Sequence, residues 1–166
     1  MNDSPGHSPI VAALARHVRD RGGKEALRSE SERQALSFAG LGERIEAGVS
    51  LLRRAGIGPR SLVALATGNT LSFPGLFFAL RSLDAAVLAV DDSHRATATL
   101  EVCRRMGASW ILHRNPELGG DALDGPVRLA RLEGGSPPPG GTALVKLTSG
   151  STLNPRGACF TEESNG

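Results

Sequence analysis

Two cysteines, Cys103 and Cys159, are all that the 166 residues hold, and they stand far apart without metal-ligand spacing. A structural disulfide between them is an open but unsupported alternative, and the pattern favours buried free thiols in a reducing compartment. A dominant charge is missing as well. Nineteen Lys and Arg against 17 Asp and Glu leave +2, too weak a field to argue for a nucleic-acid partner. The basic pairs Arg53-Arg54 and Arg104-Arg105 read as solvated helix faces. Long apolar runs are absent. The longest, near Leu62–Ala66 and across residues 85–90, are far too short for a membrane span. Residues 1–8 are polar and turn-prone, with no apolar signal core after them. The expected location is therefore the cytoplasm. His7, His17, His94 and His113 are scattered without ligand spacing, so solvent-facing or strand-end roles are expected and no metal site.

Apolar residues make up 40% and charged residues 22%, a composition that can bury a core in one domain of this length. Ser8 with Pro9 predicts a helix start, Val11, Leu14 and Val18 give it one apolar face, and Gly22-Gly23 ends it. Short alternating pieces between Lys24 and Ser37, around the polar residues 29–33, suit a β-hairpin. Ser37 opens a helix whose stripe is Leu41, Ile45, Val49 and Leu52, with Gly56 at its C-terminus. Leu62–Ala66 has no polar face and reads as a strand buried on both sides.

The rhythm then repeats: a helix over 71–83 with Pro74 near its first turn, a strand at 85–90, and a helix capped by Ser93. That helix carries Leu100, Cys103 and Met106, ends at Gly107, and leads into a strand at Trp110–His113. Alternating strands and helices at this spacing imply an α/β fold with a doubly wound, mostly parallel sheet and flanking helices. Residues 114–125 read as loop and 127–132 as a short strand. Asp91-Asp92, just before a helix, is expected to complement its dipole rather than hold a metal, and Glu162-Glu163 reads the same way.

These signals divide the chain into a flexible start at 1–8, an α/β subdomain at 9–133, a Gly/Pro linker loop at 134–141, and a strand with a functional loop at 142–166. Ala143 to Leu147 is the strand. It delivers Thr148-Ser149-Gly150-Ser151-Thr152, then Pro155-Arg156-Gly157. Gly150 allows close approach of backbone N–H groups to an anion, the hydroxyls add compact donors, and Arg156 adds a fixed positive charge. Such a turn can equally be a plain connection between strands. It is not a Walker loop, and no strand is followed by G-x-G-x-x-G.

The order of residues decides between the two. Thr148-Ser149-Gly150-Ser151-Thr152-Leu153-Asn154-Pro155-Arg156-Gly157 resembles the T-S-G-S-T-G-x-P-K-G phosphate loop of adenylate-forming enzymes, the acyl-CoA synthetases, luciferases and peptide-synthetase adenylation domains. Leu153 stands where that family has glycine, at a cost of roughly 1–2 kcal/mol if the position needs positive φ. Arg156 stands for lysine, which keeps the charge and changes its geometry. Upstream, Leu36-Ser37-Phe38-Ala39-Gly40-Leu41 is similar to the family's L-[ST]-[YF]-x-E-L helix opening. Gly56-Ile57-Gly58-Pro59 with the following strand is similar to its G-[VI]-G-P-G-D-x-V-A turn, and Asn69, Phe73 to Leu83 and Gly107-Ala108 fit too.

The resemblance therefore runs from about Pro9 to about Ser164, and it implies the N-terminal fragment of an AMP-forming acyl ligase. By that resemblance ATP with Mg2+ and a carboxylic acid are the substrates. Thr148, Ser149, Gly150, Ser151, Thr152, Arg156 and Gly157 would hold phosphates, and no residue would act as a nucleophile. The adenine and acyl pockets would come from a further C-terminal portion, which could be separately encoded, so the chain alone is expected to be inactive. A non-catalytic remnant acting as a binding or interaction protein is the alternative.

Overall fold

Five consecutive apolar residues with no polar side can only be satisfied by burial on both faces, and β3 (Leu62–Ala66) is buried at every position. In the computed structural model, which describes residues 8–93, 95–148 and 156–162, β3 lies within a seven-stranded sheet. Parallel to it on one side runs β4 (Ala86–Ala89), and on the other β5 (Trp110–His113). β8 (Thr142–Thr148) extends the parallel block beyond β4. Antiparallel strands close both flanks: β7 (Val127–Arg131) on β5, β6 (Asp121–Asp124) on β7, and β9 (Arg156–Thr161) on β8. The order is β6-β7-β5-β3-β4-β8-β9, with a separate hairpin of β1 (Glu25–Ser29) and β2 (Gln34–Ser37).

The helices coat the two faces. α2 (Phe38–Arg54) and α3 (Ser72–Ser82) cover one, where Leu52, Leu76 and Leu80 meet Val63, Leu65, Val87 and Leu112. α4 (Ala96–Arg105) covers the other, where Cys103 and Leu100 meet Ala64, Leu88 and Ile111. Strand residues of alternating number thus enter opposite clusters, as the pleat requires. α1 (Pro9–Arg21) buries none of its own residues and rests on α2.

The expected stripe on α2 holds, and Ser37 caps it: its Oγ accepts from the Gly40 N–H at 3.1 Å. Gly56, at φ +88, turns the chain out of that helix. Ser8 is the N-cap residue of α1 and Pro9 opens the helix, as expected, but Ser8 contributes only its carbonyl, which accepts from the Ala12 N–H at 3.0 Å, while its buried Oγ has no partner among the described residues. Three expectations are corrected. Ser93 does not cap α4, which starts at Ala96 after Arg95; the Ser93 N–H instead donates to Asp91 Oδ1 at 2.9 Å. No acidic residue lies in the first turn of α4, so Asp91-Asp92 does not serve its dipole. The stretch 114–125 is not all loop: a short 3-10 turn, Pro116–Leu118, is followed by β6. The expected helix opening at Glu162-Glu163 runs into residues outside the described ones; of the pair, Glu162 is described, and its Oε1 accepts from Arg81 Nε at 3.1 Å and ties the end of β9 to α3. The loop after β7 is held in place, since the Ser136 N–H donates to the Gly107 carbonyl at 2.9 Å.

Candidate functional site

Parallel strands all end at one edge of a sheet, and that edge is where open α/β sheets hold ligands. β8 runs parallel to β4, so its last residue, Thr148, arrives at this edge beside the ends of β3 and β5. Thr148 is paired directly across from Arg156, and Leu147 from Gly157. The segment between Thr148 and Arg156 is therefore closed by a hydrogen-bonded ladder, which fixes both of its ends at the carboxyl edge. Ser149, Gly150, Ser151 and Thr152 lie outside the described residues, so of the expected phosphate-holding set the structure locates Thr148, Arg156 and Gly157. Arg156 is exposed at the start of β9. Gly157 has a packing duty: a Cβ there would strike the end of Met106 and come within 2.8 Å of Val145 Cγ1.

A second feature of the same edge was not legible in the motif. The connections leaving β3 and β5 diverge, β3 turning through α3 toward β4 and β5 turning away toward β6. At the divergence is a cavity of about 240 Å3, lined by Ala66, Asp92, Thr99, His113, Arg114 and Asn115 among others. His113 is only 1% exposed and neither ring nitrogen has a hydrogen-bond partner among the described residues. Backbone groups of Asn115 and Gly119 lie near enough to favour the protonated ring, but without hydrogen-bond geometry. Burial outweighs them and lowers its pKa from the usual 6.5, so the ring is neutral at pH 7. Thr67 Oγ1, one residue past β3, is likewise buried and unpartnered. Gly68 carries φ +64 and has no room for a Cβ because the Asp92 carboxylate packs against it. The signal for His113 was a histidine ending an apolar strand, and only folding reveals the polar groups around it.

A larger cavity of about 590 Å3 is lined by Glu32, Arg44, Gly48, Gly75, Leu123 and Pro126 among others, and neither Thr148, Arg156 nor Gly157 is among its lining residues. Cys103 is fully buried, and burial pushes its thiol up to about 12, so it is unreactive. Among the described residues no group of three His, Cys, Asp or Glu is placed to hold a metal, and no helix is long and apolar enough to cross a membrane.

A mostly parallel α/β core of this kind is an architecture whose ligand crevices form at the carboxyl edge of the sheet. A family model described as AMP-binding enzyme matches residues 14–165, and the chain belongs to that family. Comparison with curated proteins gave no match. Among solved structures, the N-terminal domain of FACL13 from Mycobacterium tuberculosis is similar at TM-score 0.69 and 18% identity, over 93% of this chain and 44% of that one. The N-terminal subdomain of Klebsiella oxytoca NpsA, in complex with 3-hydroxyanthranilyl-AMSN, gives 0.72 and 16%, over 95% and 42%. The anthranilate CoA ligase AuaEII, in complex with anthranoyl-AMP, gives 0.72 and 18%, over 98% and 36%. These identities establish a shared fold. The chain spans less than half the length of each.

Proposed function

We propose that this chain is the amino-terminal portion of an ATP-dependent acyl-adenylating ligase, which joins a carboxylic acid to AMP and releases pyrophosphate. The family match over residues 14–165 carries the reading. It is supported by the position of Thr148 and Arg156, which pins both ends of the intervening segment at the ligand-holding edge. In this reading a substrate carboxylate oxygen attacks the α-phosphorus of ATP, the bond to the bridging oxygen breaks, and that oxygen leaves on pyrophosphate. The chain's part is electrostatic. Thr148, Ser149, Gly150, Ser151 and Thr152 hold the β- and γ-phosphates with backbone N–H groups and hydroxyls, and Gly157 keeps the base of the loop close. Arg156 offsets charge on the departing pyrophosphate. Mg2+, arriving with ATP, would add further neutralisation of the phosphates.

Both reactants must also be oriented, and orientation supplies a large share of such catalysis. A relative's remaining length would supply it, and an acceptor such as coenzyme A or a carrier thiol belongs to that larger assembly. ATP–pyrophosphate exchange tests the reading. The chain alone should show none, and adding the complementary portion of an adenylating domain, with a panel of carboxylic acids, should restore it. Arg156→Ala should then lower exchange by about tenfold or more, the loss of one charged contact to the leaving group. Exchange that is absent in every combination would favour a non-catalytic binding protein instead.

A further inference from the structure

A buried imidazole normally gives its nitrogens to neighbours, because a hydrogen bond left unmade in the interior is costly. His113 gives neither, among the described residues, although it is almost wholly buried. The pleat fixes where its ring stands. His113 is paired with Ala66 across the parallel ladder, and Ile111, two residues earlier, belongs with Cys103 to the cluster under α4. The ring is therefore on the α4 side, in the cavity of about 240 Å3 that Thr99 of α4 also lines. Kept neutral by burial, it presents one N–H and one bare nitrogen. Ala66, Pro116 and Leu118 supply apolar wall. The space would take about eight waters, or one compact solute with a similar number of heavy atoms.

The rim adds charges of both signs. Asp92, in the turn after β4, and Arg114, directly after β5, line the same cavity and are both exposed. Neither forms an ion pair with the other or with any other described residue. Asp92 is held in place, since its carboxylate lies against Gly68 where any Cβ would collide. Thr99 stands in the first turn of α4, and the amino end of a helix favours a negative group. Opposite charges kept apart on one rim complement a ligand that carries both.

We infer that this cavity is a binding site for a free α-amino acid with a short polar side chain. Its α-carboxylate meets Arg114, its α-ammonium meets Asp92, and its side-chain amide or hydroxyl supplies the partner that the His113 ring lacks. A lone anion would be opposed by Asp92 and a lone cation by Arg114, while an apolar solute would leave the imidazole unsatisfied. No lining residue belongs to β8 or β9, so the site is separate from the segment between Thr148 and Arg156.

Calorimetry of the full chain against L-asparagine, L-glutamine, L-serine and L-threonine should give, for at least one, a dissociation constant of about a millimolar or below. The N-acetyl and methyl-ester derivatives of that amino acid each lack one charge and should bind about tenfold more weakly or worse. Asp92→Asn and Arg114→Gln, at exposed sites where the thermal melt should not change, should each weaken binding by about tenfold or more. Arg156→Ala should leave it unaltered. In nitrogen NMR spectra the imidazole signals of His113, assigned by their loss in His113→Gln, should shift when the amino acid is added. No binding up to about 10 mM would leave the cavity to water and overturn the inference. Equal binding of the derivatives would overturn it too, as would indifference to both rim substitutions. So would binding of adenosine, another compact solute with adjacent donors and acceptors, in place of any amino acid. These measurements need neither ATP nor a second portion of the enzyme, so their failure and that of the ligase reading are distinguishable.

Discussion

His113 shows how one residue can read differently before and after folding. At the end of an apolar strand it is unremarkable, yet its ring is buried with neither nitrogen partnered among the described residues. Its folded pKa lies below the 6.5 of the unfolded chain. Unfolding therefore takes up a proton at mildly acid pH. Stability from this group is full above pH 6.5 and falls as pH drops below it, by up to about 1.4 kcal/mol per pH unit until the folded pKa is reached. Denaturant melts between pH 7.5 and 5 should show this slope, and His113→Gln should flatten it. Gly68 offers a second test at the same cavity. Gly68→Ala places a Cβ at φ +64 against the Asp92 carboxylate, so a loss of about 1–2 kcal/mol is expected in a denaturant melt. Gly157→Ala should cost less, since the first obstacle is the flexible end of Met106.

Among the elements, β9 depends on few attachments, and the Arg81–Glu162 pair is a strong one. Arg81 is 8% exposed at its side chain, and its other contact is a 2.7 Å donation to the Ala85 carbonyl. Glu162→Ala would leave part of a nearly buried guanidinium without its anion. The expected cost is about 1–3 kcal/mol, and amide exchange should quicken across β9 before it does in β3 or β4. Element by element, the legible parts were those whose reason is local. β3, β4 and β5 announce themselves by apolar runs, and α2 by its stripe and its Ser37 cap. β6 was not legible because Asp121-Ala122-Leu123-Asp124 has no strand pattern of its own. It exists through its ladder with β7. The start of α4 was misplaced for a related reason: Ser93 looks like a cap, but Asp91 takes its N–H first.

At the scale of the whole molecule, the order of residues 148–157 resembles the phosphate loop of the family, and the fold places the two ends of that segment at the carboxyl edge, because β8 ends where the other parallel strands end. The cavity at His113 was beyond reach of the sequence, since its lining comes from the ends of β3 and β5 and the start of α4, 52 positions from Ala66 to Leu118. The same division governs what the chain should do with nucleotide. One face of an ATP site, holding only phosphates, should bind no tighter than about millimolar. At 1 mM ligand that stabilises the folded chain by RT ln 2, about 0.4 kcal/mol. For a domain of this size the melting temperature should rise by only about 1 °C. Adding the complementary portion of an adenylating domain should enlarge the shift severalfold, because the adenine and ribose contacts then join the phosphate ones. A shift of many degrees on the isolated chain would mean that this edge holds a nucleotide unaided, and the division of labour proposed for the ligase would have to be redrawn.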